Sequence, residues 1–149
     1  MSDHDFEISF SSDTAKGQEV RERIISAMDA NGFSEKDVFG MRLSLEEALV
    51  NAIKHGNGMD PNKEVHVTCH VDYIQTRITI RDEGTGFDPR DIPDPTDEDN
   101  LEKPGGRGIM LMKAFMTEVS YSDDGNEVLL VKEREVETED DPSTVVEEG

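Results

Sequence analysis

The chain has 149 residues, 35 acidic against 15 basic, with a formal charge of -20 at pH 7. That length fits one domain with a real core, and the charge argues against non-specific nucleic-acid binding or adhesion to an anionic membrane. The single cysteine, Cys69, excludes an internal disulfide and fits a reducing compartment. The opening MSDHDFEISF has neither the basic start nor the apolar run of a signal peptide, and no stretch reaches transmembrane length. The expectation is a cytoplasmic, soluble protein.

Phe6, Ile8 and Phe10 alternate with polar residues and predict an opening strand, broken at Ser11, Ser12 and Asp13. Thr14 is placed to cap a helix running to about Ala30, with Val20, Ile24, Ala27 and Met28 on its inner face and Asn31-Gly32 as its stop. Ser34, followed by Asp37, starts a second helix that runs to a glycine stop at Gly56. Its apolar stripe is Val38, Met41, Leu45, Ala48, Leu49 and Ala52.

Residues 57–62 form a turn-rich connector. Val65, Val67, Cys69 and Val71, then Ile74, Ile78 and Ile80, predict two antiparallel strands joined by a tight turn near Asp72-Tyr73. Residues 87–105 are rich in proline and acids and read as a long mobile loop within one domain. Ile109, Met110, Leu111, Met112, Phe115 and Met116 wrap most of a helix, which predicts a buried one. A hairpin around Asp123, Asp124, Gly125 and Asn126 closes the domain at about residue 134. The acidic stretch 135–149 reads as a disordered tail.

Three stretches carry chemistry. Glu47, Asn51 and His55 are spaced by four and lie off the apolar stripe, on one line along the helix. A carboxylate one turn from a carboxamide offers hard oxygens to Mg2+ or to a water or hydroxyl beside it. Asp82-x-Gly84-x-Gly86 follows a strand: glycines allow close backbone approach, and the carboxylate can accept from an exocyclic amine. Gly106-Arg107-Gly108 precedes a helix, where free N–H groups and a guanidinium suit phosphate. Singly, these are a polar helix face, a glycine turn and a loop stop.

Together, in this order, they resemble the GHKL ATP-binding domains, which include gyrase-type ATPases and histidine kinases. The short chain and the segment GIMLMKAFMTEV resemble, within that family, the anti-sigma-factor serine/threonine kinases of bacterial partner-switching systems. The resemblance implies a two-layer α+β sandwich, with a mixed, largely antiparallel sheet and helices on one face. It implies ATP and Mg2+ as ligands, with 87–105 as the ATP lid. Asn51 would hold Mg2+, Glu47 would orient or deprotonate the attacking hydroxyl, and Asp82 would take the adenine amine. Gly84 and Gly86 would make room for the base. Gly106, Arg107 and Gly108 would contact phosphate, with Lys54 and His55 near enough to reach it or to act as cations at a helix end.

Many relatives carry a threonine after the glycine of the final hairpin. Asn126-Glu127 stands there instead, and Glu46 is expected to point away from the site. The implied partners are a STAS-domain anti-anti-sigma protein, a sigma factor and a second copy of the chain. Two alternatives remain. One is the ATP-binding part of a histidine kinase, disfavoured because His4, His55, His66 and His70 sit in a terminus, a helix end and a strand. The other is a non-catalytic scaffold that uses ATP to hold a conformation.

Overall fold

The computed structural model describes residues 4–84 and 106–134, with side chains in the last helix described from Met110 onward. The expectations for the loop 87–105, the tail 135–149 and Gly86 fall outside these residues.

Alternating apolar residues build a five-stranded sheet of β1 (Asp5–Ser11), β2 (Glu64–Val71), β3 (Gln75–Arg81), β4 (Glu118–Tyr121) and β5 (Glu127–Glu133), in the order β1-β2-β3-β5-β4. Every described pairing is antiparallel, so the parallel component of the expected mixed sheet is not found among them. One face carries Phe6, Phe10, Val65, Val67, Cys69, Val71, Ile78, Ile80, Val128 and Leu130 into the core. Period-2 patterning thus dictates which face the helices cover. Burial pushes the Cys69 thiol up to about 12, so it behaves as a small apolar filler.

Among the described residues three α-helices make the second layer: α1 (Thr14–Ala30), α2 (Glu35–Val50) and α3 (Gly106–Phe115). The cap of α1 is Asp13, whose Oδ1 accepts from the Ala15 N–H at 2.8 Å; Thr14 is the first helical residue and not the cap. A carboxylate one residue upstream sits in the extended conformation that capping requires. Asn31 and Gly32 (φ +76°) end α1 as expected. Ser34 caps α2, accepting from the Asp37 N–H at 3.1 Å, a bond worth about 1 kcal/mol. Asp37 is itself buried, 3.5 Å from the Lys132 ammonium, and fastens the start of α2 to β5.

Two further expectations need correction. Ile74 is exposed in the β2–β3 turn, and Thr76 takes the inward position that begins β3. The turn is held by Asp72 Oδ1, which accepts from the N–H groups of Ile74 and Gln75, so residue 74 belongs to the turn. The last helix is not buried all round. Met112 is fully enclosed, but Met110 is 54% and Leu111 39% exposed, because α3 packs by one side against α2. The crossing is close: a Cβ on Gly40 would lie 3.0 Å from the Phe115 side chain.

At the far end of the sheet, Arg134 closes the frame. Its guanidinium stacks on Tyr73 and Phe33 and donates to the carbonyls of Tyr73, Gly32 and Asn31. The site lies at the opposite end of β3.

Candidate functional site

The second helix does not finish as an α-helix. From Asn51 to Gly56 it widens into a single π-helical turn, in which the Asn57 N–H reaches back to the Ala52 carbonyl at 2.9 Å. Glu47, on the last α-helical turn, and Asn51, at the first π position, are both half-buried. Neither side chain is committed to a hydrogen bond among the described residues. The line expected through Glu47, Asn51 and His55 breaks at Asn51, because the wider turn carries Lys54 and His55 out to solvent. Glu46 points away, exposed and 3.9 Å from Arg21 of α1, as the helical register requires.

The end of the π turn rests on the loop after β3. A Cβ on Gly56 would fall 2.3 Å from the Asp82 carboxylate, and one on Gly84 would fall 1.9 Å from the Gly56 carbonyl oxygen. Only glycine fits at both places, for reasons of space and not of backbone angle. Asp82 itself is 8% exposed. Burial raises its pKa above the ordinary carboxylate value, and the Gly84 N–H, donating to Oδ1 at 2.8 Å, partly offsets this. Among the described residues no cation pairs with it at salt-bridge distance, which leaves a buried acceptor beside the helix that carries Glu47 and Asn51.

Tyr121 was not foreseen beside these residues. It lies on β4 in the row Ile80–Val128–Tyr121, on the core side of the sheet. Its phenol is shifted upward by burial and then by the charges of Glu47 and Asp82, so both carboxylates act on one ring. Asn126 does not stand idle. Its carbonyl accepts from the Asp82 N–H at 2.9 Å, and its amide lies 3.4 Å from the Asp82 carbonyl. The buried Asn57 also went unnoticed: its Oδ1 accepts from the Glu83 N–H at 2.7 Å. On the outer face of the sheet, Glu83 pairs with the His66 ring at 2.8 Å and accepts from the Glu64 N–H at 3.1 Å.

The structure thus seats the end of the helix that carries Glu47 and Asn51 against Asp82 and Gly84, through Gly56, and leaves Lys54 and His55 exposed. The segment Gly106-Arg107-Gly108, expected to precede the last helix, is instead its first three residues, so α3 begins at Gly106. Residues 10–132 match the model of the histidine kinase-like ATPase domain. The chain belongs to that family. Membership makes it an ATP-binding domain, and the helix end, the buried aspartate and the glycine contacts are the parts of this histidine kinase-like fold that face one another.

Individual relatives agree. The serine-protein kinase RsbW of Bacillus licheniformis is 33% identical over 124 residues, 76% of each chain. RsbW of Listeria innocua is 29% identical over 116 residues, 71% of this chain and 74% of the relative. The anti-sigma F factor of Shouchella clausii is 36% identical over 78 residues, half of this chain and 53% of the relative. Among solved structures, the RsbU and RsbW domains of a Mycobacterium tuberculosis protein share the fold, with a TM-score of 0.59 at 14% identity. The match covers 87% of this chain and 32% of that one. Among the described residues no helix is long and apolar enough to cross a membrane.

Proposed function

We propose that this chain is a Mg-ATP-dependent serine/threonine kinase of a bacterial partner-switching system, phosphorylating an anti-sigma-factor antagonist and binding a sigma factor. The observation that carries the proposal is the convergence of Glu47 and Asn51, both uncommitted, on a helix end that abuts the buried Asp82. Identity of 33% to a serine-protein kinase supports it.

Asp82 accepts from the exocyclic amine of adenine, while Gly84 and Gly86 leave room for the base. Gly106, Arg107 and Gly108 offer N–H groups and a guanidinium to the phosphates. The donor set fits Mg2+, which takes one or two protein ligands and completes its shell with water and phosphate oxygens. Asn51, half-buried with a free carboxamide oxygen, is the residue to hold it. When bound, Mg2+ neutralises phosphate charge.

The acceptor hydroxyl attacks the γ-phosphorus, the bond to ADP breaks, and Glu47 orients that hydroxyl and takes its proton. Phosphoryl transfer of this kind depends mostly on positioning and charge neutralisation. The antagonist is a STAS-domain protein, the unmodified kinase holds the sigma factor, and the working unit is a homodimer.

Calorimetric titration of ATP with and without Mg2+ tests the metal role. Wild type gains affinity from Mg2+, and Asn51→Ala loses that gain. An Asn51→Ala protein with an undiminished Mg2+ effect would remove Asn51 from the reading.

A further inference from the structure

Asn57 was read as part of a turn-rich connector, yet it is only 2% exposed. Its carboxamide spends both amide donors and one oxygen lone pair on three separate segments. Oδ1 accepts from the Glu83 N–H at 2.7 Å, after β3. Nδ2 donates to the Glu64 carbonyl, at the start of β2, and to Ser12 Oγ, after β1, each at 3.0 Å. The Ser12 hydroxyl in turn donates to the Lys63 carbonyl at 2.8 Å. Asn57 also directly follows Gly56, the residue pressed against the Asp82 carboxylate.

These contacts act on one peptide. The Glu83 N–H belongs to the amide joining Asp82 to Glu83, so holding it sets the backbone from which the Asp82 side chain projects. From the other side, the Asp82 N–H is held by the Asn126 carbonyl. Only a carboxamide of this length supplies one acceptor and two donors at once. Aspartate has the same shape but no donor, and would aim an oxygen at the Glu64 carbonyl.

We infer that Asn57 is a positioning residue for base selection: it fixes the Asp82–Glu83 peptide so that the Asp82 carboxylate meets the exocyclic amine of adenine. The inference rests on the adenine role proposed for Asp82, and the test separates the two. Mg-ATP and Mg-ITP differ at that position, an amine in one and a carbonyl in the other, so the ratio of their affinities reports the alignment of Asp82. A residue that only supports the fold lowers the melting temperature, or both affinities alike, without changing the ratio.

The experiment is calorimetric titration of both nucleotides into the full chain, wild type, Asn57→Asp, Ser12→Ala and Asp82→Asn, with circular dichroism to establish folding. Wild type prefers ATP. Asn57→Asp lowers the preference about tenfold, as expected for a buried bond replaced by a repulsive contact. Ser12→Ala, which strips one partner from Asn57 without touching Asp82, lowers it in the same direction by less. If Asp82→Asn abolishes the preference but folded Asn57→Asp keeps it, the positioning role is overturned while the adenine role stands. If Asp82→Asn leaves the preference unchanged, the adenine role fails and this inference falls with it. Should Asn57→Asp not fold, Ser12→Ala decides: a reduced preference supports the role, and an unchanged one overturns it.

Discussion

Gly84→Ala tests whether the close packing of the π turn on the loop after β3 is what holds the site together. The new Cβ would sit 1.9 Å from the Gly56 carbonyl oxygen, and ordinary contact begins at 3.4 Å. The two segments must therefore part by about 1.5 Å, and the obstacle is backbone, which cannot rotate away. Overpacking of this kind costs about 1–3 kcal/mol, a fall of roughly 3–12 °C in melting temperature for a domain of this size. A displacement near 1 Å in a positioned site can cost about 10²-fold in activity. ATP affinity and phosphoryl transfer should fall well beyond what the lost stability explains.

Gly32→Ala is the control. It sits at φ +76° with nothing within 4 Å, at the end of α1, so it carries backbone strain of about 1 kcal/mol and no steric clash. Calorimetry and differential scanning on both variants distinguish them. Were Gly84→Ala destabilised like Gly32→Ala but still binding ATP as wild type does, the contact between Gly56 and Gly84 would not be what fixes the site.

Asp82→Asn should weaken ATP binding while leaving the melting temperature level or raised, because a buried carboxylate that costs stability is replaced by a neutral group; calorimetry alongside a thermal scan checks both halves. His70 bridges Asp5 of β1 at 2.5 Å and Asp72 of the β2–β3 turn at 2.8 Å. The hydrogen bond that its ring donates to Asp72, and then that to Asp5, hold its pKa above the ordinary 6.5 against the opposing effect of burial. A raised histidine stabilises the fold fully below pH 6.5 and loses that contribution as pH rises through the folded value. His70→Gln should therefore melt below wild type at pH 6, by a small margin because the ring is well exposed, and the gap should close by pH 9. A gap constant across that range would mean that the charge on His70 contributes nothing.

The parts of this fold that depend on local chemistry were legible. Alternation identified the inner faces of β1 and β2, and Ser34 with Asp37 marked the start of α2. Position 74 was misread because an isoleucine in step with Ile78 looks inward, whereas the Asp72 side chain had already claimed it for the turn. The last helix was misread because methionine and leucine on every side of it leave no face to choose, and packing against α2 made the choice. In the site, the spacing of Glu47 and Asn51 and the Asp82-x-Gly84 pattern were visible. The π turn was not, since NAIKHG is ordinary helical sequence and the widening coincides with the seating of Gly56 against Asp82. Asn57 and Tyr121 had no signal either. An asparagine beside glycine reads as a turn, a tyrosine in a strand reads as core, and only the register of distant strands brings them to Asp82.

Phosphate transfer by this chain, with Asn51 serving the metal and Glu47 the hydroxyl, is decided by comparing Glu47→Gln with wild type in two assays. Nucleotide affinity is read by calorimetry, and transfer by radiolabelled ATP with a STAS-domain acceptor carrying a serine or threonine. Glu47→Gln should keep nearly unchanged Mg-ATP affinity and lose transfer by roughly 10²–10⁴-fold if Glu47 is a general base, or by nearer tenfold if it only orients the hydroxyl in a loose transition state. Wild type that binds ATP but modifies no acceptor, with Glu47→Gln indistinguishable from it in both affinity and partner binding, would contradict the kinase reading and leave an ATP-dependent scaffold.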